Sequence, residues 1–153
     1  MKIAEPASVD HPGWLSLRQS LWPHGATEEH LAEMARFLAE PGRFVQFIAC
    51  AEPAGPVGLV EASIRNDHVN GTETSPVAFL EGLYVSPDHR RRGLARRLVA
   101  AVAEWAQSRG CREFASDAAL DNRLSHAVHM SLGFVETERV VYFRKVLDRT
   151  GPL

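Results

Sequence analysis

The stretch that most constrains the fold is LYVSPDHRRRGLARR, residues 83–97. An apolar run from Phe79 to Val85 breaks at Ser86-Pro87, and a basic, glycine-containing turn leads directly into a helical pattern over about Arg92 to Ser108. The N–H groups of such a turn and of the first helical residues have no intrahelical partner, and the helix dipole adds partial positive charge at the same end. A strand, a turn and a helix in that order form a cradle for a phosphate-bearing ligand. Gly93 removes the Cβ that would keep a pyrophosphate away from those donors, and Ala95 is the next smallest choice where the helix must pack closely. The plain alternative is a helix that begins with a solvated basic turn.

The rest of the composition bounds what the cradle can belong to. With 153 residues the chain is read as one domain, 1–153, able to bury about two-thirds of its unfolded surface. No apolar run approaches a bilayer span and Met1 to Pro6 lacks a signal-peptide core, so the expectation is a cytoplasmic protein with no membrane partner. Cys50 and Cys111 sit in apolar segments without metal-ligand spacing; they read as reduced core residues, and no metal is expected. The net charge of −2 makes the basic run local, which argues against a nucleic-acid partner. Acidic residues recur near expected strand ends and loops: Glu61, Asp67, Glu73, Glu81, Asp117, Asp121, Glu136 and Glu138. One basic pocket and a separate acidic face suit an anionic cofactor and a cationic substrate, although most carboxylates on any protein are merely solvated.

Periodicity and punctuation supply the order of elements. Lys2 to Ala4 reads as a strand, and a helix from about Pro12 stops at Leu21 before Pro23. Thr27 is expected to cap a helix over Glu28 to Ala39, with Leu31, Met34, Ala35 and Leu38 on its buried face and Pro41-Gly42 as its stop. Arg43 to Cys50 and Val57 to Arg65 read as strands, Asn66 to Pro76 as a polar loop and Val77 to Val85 as the central strand. Beyond the long helix come a strand, Cys111 to Ser116, a helix, Asn122 to Leu132, and strand material over Phe134 to Leu147 broken near Glu136 to Glu138. This order gives the α/β class, a mixed central sheet flanked by helices on both faces.

The spacing Arg90-x-x-Gly93-x-Ala95, in its strand–turn–helix context, resembles the acyl-CoA signature of the GCN5-related N-acetyltransferases, the GNAT superfamily, and the element order resembles that fold over nearly the whole chain. Asn122, Ala127 and Leu132-Gly133-Phe134 resemble the second signature, whose Asn lies near the pantetheine arm. Where many members carry a general-acid tyrosine, four residues before that glycine, this chain has His129. The resemblance narrows at Leu21-Trp22-Pro23, residues 64–71, Phe79-Leu80-Glu81-Gly82, Cys111-Arg112-Glu113, Ala115-Ser116-Asp117 and residues 136–140, which together look like the aminoglycoside 6′-N-acetyltransferases of antibiotic resistance. That family implies acetyl transfer from acetyl-CoA to the 6′-amine of the drug, usually by a homodimer. It implies aminoglycoside contacts at Trp22, Glu81, Asp117 and Glu138, with His68 where relatives can have tyrosine. For acetyl-CoA it implies contacts at Leu83, Tyr84, Val85, Arg91, Arg92, Gly93, Leu94, Ala95, Arg96 and Asn122.

The chemistry agrees with that division, because a polycation covered in hydroxyls needs carboxylates for charge-assisted hydrogen bonds and an aromatic wall for its sugar faces. Glu81 interrupts an apolar strand, where a carboxylate is costly unless it is paired or faces a cleft. Asp117 follows a strand's carboxyl end, where α/β sheets place ligands, and is equally placed to cap a turn. Trp22 has a core alternative, Glu138 a surface ion pair and His129 a packed helix position. Catalysis is assigned to Asp117 or Glu81 as the group that orients the amine and accepts its proton, with His129 as candidate acid and a backbone N–H of Leu83 to Val85 on the thioester carbonyl. Other functions open to the same cradle are acetylation of a protein amine or polyamine, and a non-catalytic acyl-CoA-binding module.

Overall fold

The computed structural model describes residues 1–148 and arranges them around a five-stranded sheet in the order β1-β2-β3-β4-β5. The strands are β1 Lys2–Ala4, β2 Phe44–Ala51, β3 Gly55–Arg65, β4 Val77–Val85 and β5 Phe114–Ala115; the first four are antiparallel and β5 joins β4 in parallel. Helices α1 Trp14–Leu21 and α2 Thr27–Ala39 cover one face, α3 Leu94–Ser108 covers the other, and α4 Arg123–Ser131 follows β5. The expected mixed sheet with helices on both faces is therefore present.

The two faces have different chemistry. Gly58, Val60 and Ala62 of β3 meet Leu94, Leu98 and Val102 of α3, and a Cβ on Gly58 would lie 3.1 Å from Leu98, so the glycine lets the helix settle onto the strand. On the opposite face Leu59 packs with Trp14, Leu17, Met34 and Ile48. Alternation along β3 then puts Glu61, Ser63 and Arg65 on that same side, the first two buried.

Several elements depart from expectation. Helix α2 buries His30 and Met34 with Phe37 and Leu38 half-covered, while Leu31 and Ala35 point outward; the helix is rotated because His30 has polar partners inside. Thr27 does not cap it, since its hydroxyl accepts from the Gln19 amide instead (3.2 Å). The strand expected over Cys111 to Ser116 shrinks to Phe114–Ala115, and Glu113 just before it turns its carboxylate to the backbone N–H groups of Glu73 and Thr74. Strand material over 134–147 is not formed: those residues lie outside regular structure, with Val141, Tyr142, Phe143 and Leu147 at least 75% exposed. A strand needs a ladder partner for its N–H and C=O groups, and among the described residues the outer edge of β5 takes none.

Candidate active site

The basic turn and the helix that follows it form where the sequence places them. After Val85 the chain makes a single 3₁₀ turn, Pro87–His89, and Arg91 (φ 62°) and Gly93 (φ 78°) adopt left-handed conformations before α3 begins at Leu94. A left-handed arginine is uncommon and marks a turn held by its surroundings. The Arg90 Nε donates to the Val85 carbonyl (2.7 Å) and the Ser86 N–H to the Val57 carbonyl (2.8 Å), which fixes the strand end. A Cβ on Gly93 would meet nothing within 4 Å, so the turn's outer side is open to a ligand.

Of the residues expected at acetyl-CoA, Arg91, Arg92, Gly93 and Arg96 are exposed and Ala95 is half-buried, whereas the Leu94 side chain points into the core and can offer only its N–H. Arg96 ties α3 to the end of α4 through the Ser131 carbonyl (3.0 Å). Asn122 caps α4, accepting from the Ser125 N–H at 3.1 Å, which orients its amide through Oδ1. Leu83, Tyr84 and Val85 pair with β3 on one side only, since the β4–β5 ladder covers just Ala78 and Phe79. Their other edge has no strand beside it among the described residues.

Strand β4 is also irregular just before this edge. Glu61 pairs with Gly82 and Ala62 with Leu80, so Glu81 is an extra residue, a β-bulge that bends the strand. Its carboxylate Oε1 accepts from the Ser63 hydroxyl (2.6 Å) and from Arg65 Nη2 (3.0 Å). Trp22 lies against the bulge, because a Cβ on Gly82 would fall 2.6 Å from its ring. Trp22 is half-buried rather than core, and it borders a small pocket of about 220 Å³ with Arg18, His30 and Glu33.

A separate cleft of about 920 Å³ is lined by Arg65, His68, Phe79, Asp117, His129 and Glu138 among others. The structure thus gathers His68, Asp117, His129 and Glu138 in one cleft; Glu81 lies outside its lining and is linked to it by its bond with Arg65, and Trp22 borders the other, smaller pocket. Asp117 and Glu138 are exposed and have no hydrogen-bond or ion-pair partner among the described residues. His129 bonds the Ser125 carbonyl through Nδ1 (2.7 Å) and the Ser116 hydroxyl through Nε2 (2.7 Å). In the neutral ring Nδ1 must carry the hydrogen to meet a carbonyl, so Nε2 accepts from Ser116. Only the imidazolium can donate from Nε2. Among the described residues no group of three His, Cys, Asp or Glu side chains is arranged to hold a metal.

Two polar constellations escaped the sequence reading. Glu61, expected on the acidic face, is 1% exposed and lies beneath α1, where it pairs with the equally buried Arg18 and accepts from Trp14 Nε1 at 2.9 Å. Arg18 also reaches His30 Nδ1 (3.2 Å) and Glu33 (2.6 Å), and His30 Nε2 donates to the Trp22 carbonyl (3.2 Å). Burial pushes the Glu61 carboxyl up from its ordinary value, against the pull of Arg18 and the Trp14 N–H. The second is Glu113, which binds the Thr74 hydroxyl and the N–H groups of Glu73 (2.9 Å) and Thr74 (2.7 Å). Those bonds, Thr74's hydroxyl first, hold its carboxyl below the ordinary range and anchor the loop that carries His68. An arginine inside an amphipathic helix and a glutamate inside an apolar strand were the available signal for the first; the second had none.

Comparison with known proteins places this architecture. Residues 12–134 match the model of the acetyltransferase (GNAT) family. The aminoglycoside N(6′)-acetyltransferase type 1 of Acinetobacter genomosp. 13 is 54% identical over 145 residues, 95% of this chain and 96% of the relative. A crystal structure of the 6′-N-acetyltransferase AAC(6′)-IG from Acinetobacter haemolyticus superposes with a TM-score of 0.89 at 50% identity, covering 97% of this chain and 100% of that one. AAC(6′)-Iy in complex with a bisubstrate analog, CoA-S-monomethyl-acetylneamine, gives 0.89 at 43% identity, over 95% and 97%.

Proposed function

Because the chain belongs to the acetyltransferase (GNAT) family, we infer that it is an aminoglycoside 6′-N-acetyltransferase that uses acetyl-CoA as co-substrate. One observation carries the reading: on β4 the bulged carboxylate of Glu81 lies within the stretch beyond Phe79 whose edge away from β3 has no ladder partner among the described residues and which leads on to the basic turn. A cationic substrate and a phosphate-bearing one are thus brought to neighbouring positions on one strand. Relatives at this level of identity carry the activity in their names, and one binds a molecule in which CoA and an acetylneamine are joined.

Transfer needs a neutral amine. In the proposed sequence Asp117, with Glu81 beside the bulge, orients the 6′-amine and takes its proton directly or through water. The amine nitrogen bonds to the thioester carbon, the carbonyl oxygen is held by a backbone N–H of Leu83 to Val85, and the carbon–sulfur bond breaks. A thiol's unperturbed pKa is about 8.5, so the thiolate departs without an obligatory acid. His129 protonates it only as imidazolium, the neutral ring being an acceptor toward Ser116. Trp22 and His68 supply walls for the sugar rings, and Glu138 a further carboxylate. Holding both reactants in line provides much of the rate.

The same reading extends to assembly and place. Residues 135–147 carry seven large hydrophobic side chains that are at least 45% exposed, and α4 exposes Leu124 and Met130 as well. A second copy of this chain is their occupant, giving a homodimer in which this segment finds the partners it lacks here. The compartment is the cytoplasm, where acetyl-CoA is made; no described helix is long and apolar enough to cross a membrane.

Thiol release from acetyl-CoA in the presence of aminoglycosides, polyamines and peptides tests the activity, with mass spectrometry locating the acetyl group. Turnover of 6′-amino drugs and none at that carbon of 6′-hydroxyl drugs is expected. Acetylation of another ring amine would reject the regiochemistry.

A further inference from the structure

The cleft meant for a polycation already contains a cation. Arg65, the last residue of β3, donates to Glu81 Oε1 at 3.0 Å and lies over the Phe79 ring, with its guanidinium carbon 3.6 Å from the ring centroid. We propose that Arg65 is a specificity-determining residue, an internal counter-cation that occupies Glu81 and the Phe79 face until a substrate ammonium displaces it. The inference rests on the aminoglycoside reading and adds to it a competitor built into the protein.

Three features make the arginine displaceable rather than structural. The pair is open to water, with the Arg65 side chain 43% and the Glu81 side chain 32% exposed, so the guanidinium can withdraw into solvent without a buried charge being left behind. Glu81 does not depend on it for position, because the Ser63 hydroxyl, in a residue 3% exposed, binds the same oxygen at 2.6 Å and stays. Withdrawal also uncovers Phe79, and an aromatic face beside a carboxylate suits an aminosugar's apolar ring face and its ammonium together.

Arg65 therefore sets a threshold. A ligand with one weakly placed amine gains little by replacing a guanidinium that is already well seated, whereas a ligand whose other ammonium groups reach Asp117 or Glu138 displaces it with help from those contacts. Removing the competitor relaxes the threshold. Arg65→Gln keeps a donor for Glu81 and removes the charge; Arg65→Lys keeps the charge.

The test compares the parent, Arg65→Gln and Arg65→Lys, by steady-state kinetics and by calorimetry with tobramycin. Arg65→Gln is expected to lower the tobramycin KM and Kd by about two- to fivefold, the range an exposed ion pair spans, with the gain in KM rather than kcat. Arg65→Lys is expected to return both toward the parent. A KM that rises or stays level in a folded Arg65→Gln protein overturns the proposal, because the arginine would then be holding Glu81 for the substrate or contacting it. If the parent binds tobramycin but does not acetylate it, the functional reading fails while the Kd comparison still decides the arginine's role. Absence of tobramycin binding to the parent overturns both.

Discussion

Gly82→Ala probes the placement of Trp22 with a single methyl group. Gly82 has no positive φ, so alanine is compatible with its backbone and the whole effect is steric. The new Cβ would lie 2.6 and 2.8 Å from two atoms of the Trp22 ring and 2.9 Å from Leu21 Cδ2. To reach 3.4 Å, the near edge of ordinary contact, the ring must retreat by about 0.8 Å. It does not retreat freely: Arg18 lies over it at 4.9 Å and the Trp22 carbonyl is held by His30. Overpacking of this kind costs about 1–3 kcal/mol. Displacing a positioning group by 1 Å can cost up to about a hundredfold in rate. The expected outcome is a kcat/KM for aminoglycosides reduced about 10- to 100-fold, carried mainly by KM, with acetyl-CoA affinity unchanged because the open edge at Leu83 to Val85 is untouched. Steady-state kinetics, calorimetry with acetyl-CoA and a melting curve separate these effects. Parental kcat/KM in folded Gly82→Ala protein would refute the placement of Trp22 as a wall of the substrate site.

Gly93→Val is expected to abolish acetyl-CoA binding by calorimetry, since a β-branched residue cannot adopt φ 78° at the start of α3, whereas Arg91→Ala should weaken binding only modestly. Asp117→Asn keeps size and hydrogen bonding while removing a carboxylate that has no internal partner; kcat/KM for aminoglycosides should fall by about 10- to 1000-fold with acetyl-CoA affinity retained, and unchanged kinetics would make Glu81 the amine-orienting group. Glu113→Gln should lower the melting temperature at neutral pH but not in acid. The Glu113 carboxyl titrates below its ordinary value, so its stabilisation is complete above about pH 4.3, the unfolded value, and is lost as pH falls through the lowered folded value. A difference between parent and variant that stays undiminished as the pH is lowered progressively below about 4.3 would remove Glu113 as the anchor of the loop at Glu73 and Thr74.

The parts legible in the sequence were those that rest on local rules. The Ser86-Pro87 break and Gly93 announced the cradle because turn chemistry is decided within a few residues. Glu81 was legible because a carboxylate in an apolar strand is an exception that asks for a reason. The orientation of α2 was not, because His30 is turned inward by Arg18, twelve residues away, and a hydrophobicity pattern scores histidine as surface. Glu61 was misplaced for the same cause on a longer scale: its partner Arg18 is 43 residues distant, and nothing local distinguishes a buried, paired glutamate from a solvated one. The apolar residues beyond Phe134 did read as strand; strand formation depends on a ladder partner as well as on side chains, and among the described residues they have none.

The extra residue in β4 separates two requirements that usually compete. Ahead of it Ala78 and Leu80 face α3; beyond it Leu83 packs partly against that cluster and Val85 is buried in it, so the apolar rhythm skips a beat at Glu81 while the core does not. Excising Glu81 would restore an even alternation and leave every one of those side chains on its present face. The extra residue therefore answers to no demand of the core; what it adds is the irregularity in the strand and the carboxylate that stands there. One codon thus sits where the apolar rhythm of the strand and the proposed substrate contact can be separated from each other.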